Sequence, residues 1–102
     1  MMITIDKTFN GKKVHAQKGD VIEIQLAENS TSGYLWKIKS LDEKHLNYIE
    51  EKNEISGNAP GAGGVRIFSV KVIEKGVTEL QFSLGNQWEN DTTDTFKVTI
   101  ES

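Results

Sequence analysis

Cysteine is absent from the 102 residues. That excludes disulfides, thiolate metal ligands and a thiol nucleophile together. It suits a reducing compartment without requiring one. Proline occurs once, and arginine once, at Arg66. No apolar run approaches the ~18 residues of a membrane span, so no membrane partner is expected. The net charge is -3, and no Lys/Arg cluster interrupts the sequence. The chain therefore lacks the basic patch that displaces counterions from phosphates, and no nucleic acid is expected. Met1-Met2-Ile3-Thr4-Ile5-Asp6 has neither the basic start nor the apolar stretch of a signal peptide. A cytoplasmic location and a processed secreted or periplasmic one both stay open.

What is present describes a folded domain. Hydrophobic residues make up 36% and charged residues 26%, a globular balance rather than a disordered one. The length fits a single domain spanning residues 1–102. Apolar and polar residues alternate with a period near two, the pattern of half-buried strands. Ile22, Ile24 and Leu26 share one face of a strand at 21–26. Tyr34, Trp36 and Ile38 share one face at 34–40. Phe68, Val70 and Val72 do so at 65–74, Leu80, Phe82 and Leu84 at 77–84, and Phe96, Val98 and Ile100 at 95–101. Residues 41–55 read as a short turn and then a strand at 46–52. Asn10-Gly11 predicts a tight hairpin within 7–16. Lys18-Gly19-Asp20 and Lys75-Gly76 predict further turns. About seven strands, each with one wet face, suggest an all-β, immunoglobulin-like antiparallel sandwich.

The connections are unequal. If the strands from residue 21 onward reverse direction in turn, the connections at 27–33, 53–64 and 85–94 fall at one end. They are long, polar and rich in Gly and Asn, whereas Lys75-Gly76 at the other end is minimal. Long loops in a small domain often bind something, although each is also readable as a tolerated insertion. Trp88 stands among Asn86, Gln87, Glu89 and Asn90 with no strand period to bury it, which suits a binding anchor. Trp36, on an apolar face, reads as core.

Templates for catalysis find no match. His15 and His45 lie in separate segments with no H-E-x-x-H, and no G-x-S-x-G surrounds any serine. Glu89, Asn90, Asp91 and Asp94 lack the regular oxygen spacing of a calcium loop. Gly61-Ala62-Gly63-Gly64 lacks the Lys-Ser/Thr of a phosphate loop, and a strand follows it rather than a helix. No catalytic residue, metal or cofactor is expected. The glycines instead open the backbone to a closely approaching partner, or form a plain turn.

At these loops the sequence becomes recognisable. Asn29-Ser30-Thr31-Ser32-Gly33-Tyr34-Leu35-Trp36 resembles the N-P-T-T-G-[YF]-x-W signature of chagasin-like inhibitors of papain-type cysteine peptidases. Gly61-Ala62-Gly63-Gly64 with Phe68 resembles that family's G-x-G-G…F element. Gly85-Asn86-Gln87-Trp88 stands where the family carries R-P-W. The resemblance runs along nearly the whole chain. It implies an immunoglobulin-like fold whose three neighbouring loops block a peptidase cleft, acting as a monomer on a papain-like peptidase. Asn29, Ser30, Thr31, Ser32 and Gly33 would form one contact, with Thr31 beside the catalytic Cys and His. Gly61, Ala62, Gly63 and Gly64 would lie along the substrate-binding wall, and Gln87 and Trp88 would form the third contact. Ser30 replaces the family's Pro and removes a fixed φ. Asn86-Gln87 replaces Arg-Pro and removes a charge. Apart from the resemblance, a generic immunoglobulin-like binding module with the same loops would explain the pattern.

Overall fold

The computed structural model describes residues 1–28, 34–55, 64–86 and 92–102. Among them are eight strands: β1 (Met2–Asp6), β2 (Lys13–His15), β3 (Val21–Glu28), β4 (Tyr34–Ser40), β5 (Leu46–Ile55), β6 (Gly64–Val72), β7 (Val77–Asn86) and β8 (Thr92–Glu101). They form two four-stranded sheets, ordered β1-β3-β6-β5 and β2-β8-β7-β4. The alternation that predicts the strands also builds the core. Ile22, Ile24, Leu26, Phe68, Val70 and Val72 of the first sheet meet Trp36, Leu80, Phe82, Phe96, Val98 and Ile100 of the second, all buried. Phe82 lies at the centre, its ring 4.7 Å from that of Phe68 and 6.0 Å from that of Phe96. Ile38, expected inside, is only partly buried. It sits on an edge strand beside a bulge at Lys39, where the pairing with β7 slips.

The all-β sandwich matches the expectation, with eight strands in place of about seven. Two of its pairings are parallel: β1 with β3, and β2 with β8. The predicted hairpin at 7–16 does not form, because β1 and β2 belong to opposite sheets. A 3-10 turn (Lys7–Phe9), capped by the Asp6 carboxylate accepting from the Thr8 amide, starts the crossing. Asn10 has φ -55° and ψ 126°, and Gly11 has φ +76°, so only the glycine takes the left-handed region. That is a type II turn, closed by the Lys12 amide donating to the Phe9 carbonyl at 2.9 Å. The turn then docks on β8: the Asn10 side chain accepts from the Lys97 amide, and the Gly11 amide donates to the Lys97 carbonyl.

One irregularity repositions side chains. In β5, Tyr48 pairs with Val70 and Glu50 with Ser69, leaving Ile49 as an extra residue. A one-residue bulge reverses which side chains face inward beyond it. Leu46 therefore points into the core ahead of the bulge, while Glu51 and Asn53 pair with Phe68 and Arg66 after it. Ile49 is left 45% exposed.

Candidate functional site

Strand register fixes where the long connections leave the sandwich. Glu28 ends β3 opposite Gly64, which begins β6, and Gly64 in turn faces Ile55, the last residue of β5. On the second sheet Tyr34 pairs with Asn86, and Gly85 with Thr92. Connections 29–33, 56–63 and 87–91 thus all depart from one end. The first crosses between sheets, the second joins β5 to β6, and the third joins β7 to β8. The opposite end carries the turn at Gly76, with φ +147°. Of the residues singled out from the sequence, Gly64 is placed, as the first residue of β6. Asn29, Ser30, Thr31, Ser32, Gly33, Gly61, Ala62, Gly63, Gln87 and Trp88 lie outside the described residues.

Beneath that end is a buried polar cluster. The Glu28 residue is only 4% exposed. Arg66 donates from Nε to Glu28 Oε2 at 2.7 Å and from Nη2 to Oε1 at 2.8 Å. The Trp36 amide donates to Oε2 at 2.8 Å, and Asn53 Nδ2 to Oε1 at 3.1 Å. Arg66 Nη1 also reaches Glu51. The carboxylates hold the Arg66 guanidinium above its ordinary pKa, chiefly through the hydrogen bonds to Glu28. Trp36 binds the neighbouring strand a second time, its indole Nε1 donating to the Ala27 carbonyl at 2.9 Å. Lys7 Nζ lies 5.4 Å from the Trp36 ring and 2.5 Å from Asp94, near the start of β8. Its hydrogen bond pulls the Asp94 carboxyl below its ordinary pKa.

Sequence reasoning missed this cluster, yet it left a trace. Glu28 continues the inward phase of Ile22, Ile24 and Leu26, and Arg66 that of Phe68, Val70 and Val72. Two opposite charges in phase with core positions are a legible signal for a buried pair. The cluster borders a cleft of about 320 Å³ between β4 and β5, lined by Leu35, Trp36, Lys37, Glu51, Arg66 and Gly85. Nothing in this cleft is a nucleophile with an adjacent base. Among the described residues no group of His, Asp or Glu is arranged to hold a metal.

Two four-stranded sheets, with three connections leaving from one end, define an immunoglobulin-like sandwich. The model of the Chagasin family peptidase inhibitor I42 matches residues 15–100, and the chain belongs to this family of peptidase inhibitors. It is 26% identical to chagasin of Trypanosoma cruzi over 101 residues, covering 94% of this chain and 92% of that protein. Its fold is similar to the cysteine protease inhibitor EhICP2 of Entamoeba histolytica, with TM-score 0.89 and 17% identity over 98% of this chain and 94% of the other. The solution structure of amebosin matches with TM-score 0.83 and 21% identity, covering 99% and 97%. PbICP-C, solved in complex with falcipain-2, matches with TM-score 0.62 and 16% identity, covering 98% and 86%.

Proposed function

We propose that residues 1–102 act as one inhibitor domain that blocks the cleft of a papain-type cysteine peptidase with connections 29–33, 56–63 and 87–91. The observation that carries this reading is their common departure from one end of the sandwich. Family membership and the motifs Asn29–Trp36, Gly61–Gly64 and Gln87-Trp88 support it. A wedge of three segments reaches the ~800 Å² per partner of a stable interface more readily than one short loop does.

In this reading Thr31 stands at the enzyme's catalytic Cys and His. Gly61, Ala62, Gly63 and Gly64 lie along one wall of the cleft, and Gln87 and Trp88 along the other, with Asn29, Ser30, Ser32 and Gly33 shaping the first contact. Inhibition is occlusion. A peptide is cut only when its carbonyl carbon comes within ~3–3.5 Å of the thiolate in an attack geometry. An inhibitor that offers side chains and amides there, with no aligned carbonyl, binds without reacting. Binding to a papain-type enzyme and to its catalytic Cys→Ala variant, with mass spectrometry of the recovered chain, tests this. Comparable affinity and an intact chain are expected. A requirement for the thiol, or cleavage between residues 29 and 33, makes the chain a slow substrate and ends the occlusion account.

A further inference from the structure

We infer that Glu28 is a positioning residue for the inhibitory surface: its buried carboxylate sets the strand ends that carry connections 29–33 and 56–63 in one fixed arrangement. This rests on the inhibitory reading above. Glu28 is itself the residue before 29–33, and it accepts from the amide of Trp36, on the strand that follows that connection. Asn53, on the strand leading into 56–63, donates to the same carboxylate. So does Arg66, two residues past Gly64 at the start of the strand leading out. One side chain thus ties together the strands on either side of two connections, across both sheets.

Stability alone is a poor explanation for such a group. Burying a carboxylate and a guanidinium costs solvation that their attraction returns only when the geometry is well matched. An apolar pair of similar volume often serves the fold equally well. The neighbours in phase, Leu26 and Phe68, show that this layer accepts apolar side chains. What an apolar pair cannot supply is direction. The two-pronged Arg66 contact fixes the angle between the groups, and the Trp36 and Asn53 donors fix the carboxylate plane. The bulge at Ile49 belongs to the same device, since it turns Asn53 toward Glu28 and Glu51 toward Arg66. A preorganised surface binds more tightly because less ordering is left to binding.

The test compares Glu28→Gln and the apolar pair Glu28→Leu with Arg66→Met against the parent chain. Each is assayed for inhibition of a papain-type peptidase and for thermal unfolding. Both are expected to stay folded at the assay temperature and to inhibit at least about tenfold more weakly. In double-mutant cycles the Glu28→Gln loss should couple to Thr31→Ala and to Gly63→Ala by more than about threefold, and combine with Trp88→Ala within about twofold. A readout free of the peptidase accompanies this. Glu28→Gln should shift the backbone amide resonances of both 29–33 and 56–63 and leave those of 87–91 in place. If the parent chain does not inhibit, the inhibitory reading fails, and these resonances alone decide whether Glu28 positions the two connections. Full inhibition by the apolar pair, or shifts confined to Trp36, Asn53 and Arg66, overturns the inference. Should the apolar pair fail to fold, Glu28→Gln decides: inhibition within about twofold of the parent chain then overturns the inference.

Discussion

The indole of Trp36 donates to the carbonyl of Ala27 at 2.9 Å, a bond between facing sheets made where the chain crosses from β3 to β4. Trp36 therefore has two tasks. Its ring is core, 3% exposed, and its nitrogen fixes the spacing of the strands that flank 29–33. Trp36→Phe keeps an aromatic ring but loses the donor and part of the volume. A loss of about 1–2 kcal/mol in urea unfolding is expected. An unchanged midpoint would mean that this bond adds nothing across the sheets.

Phe82 packs against Phe68 and Phe96 with no exposed surface. Phe82→Ala empties the centre of the sandwich and should cost about 3–5 kcal/mol, measured by equilibrium denaturation. A loss under ~1 kcal/mol would contradict the assigned strand faces.

Acid should weaken the fold. The carboxyls of Asp94, Asp42, Glu101 and Asp6 all lie below their ordinary pKa values, chiefly through side-chain hydrogen bonds from Lys7, His45, Lys13 and Thr8 respectively. Each binds protons less readily folded than unfolded. Their contribution is therefore present above the ordinary carboxylate range and is lost as pH falls through it and through the lowered folded values. Because these groups are largely solvated, each contributes little. Tm should be flat from neutral pH down to about 5 and fall below about 4, with the fall reduced in Asp94→Asn. An equal fall in that variant would remove the Lys7–Asp94 pair from the explanation.

Trp88→Ala separates binding from folding. As a central aromatic anchor Trp88 should contribute roughly 2 kcal/mol or more to peptidase binding and almost nothing to stability. A large shift in unfolding with unchanged inhibition would make Trp88 structural and exclude 87–91 from the binding surface.

Much of the fold was legible because alternation reports directly on which side of a sheet a residue faces. Alternation alone gives Tyr34–Ser40 its observed bounds and puts Ile22, Phe68, Phe82 and Phe96 inside. The illegible parts depend on partners distant in sequence. Residues 2–6 form a strand by pairing with 21–25, a contact no local pattern announces. Asn10-Gly11 signalled a hairpin, but the same pair suits the type II turn that sends the chain to the other sheet. Ile67 is buried on the face opposite Phe68, between Gln25 and Lys52 in register, and with Ser69 it makes the middle of β6 buried on both faces. The bulge at Ile49 exists only relative to β6, and without it Asn53 has no reason to face Glu28, nor Glu51 to face Arg66. The three connections were legible as candidates, since their length and composition are local. The Glu28 cluster beneath them required both strands to be placed first.

Closure of a papain-type cleft is checked by titrating an active papain-type peptidase with the purified chain while following a short fluorogenic peptide. A blocked cleft excludes even a small substrate, whereas a partner bound elsewhere on the enzyme leaves it accessible. Complete, stoichiometric loss of turnover of the short peptide is expected. Turnover that persists at micromolar concentrations of the chain would rule out closure of the cleft.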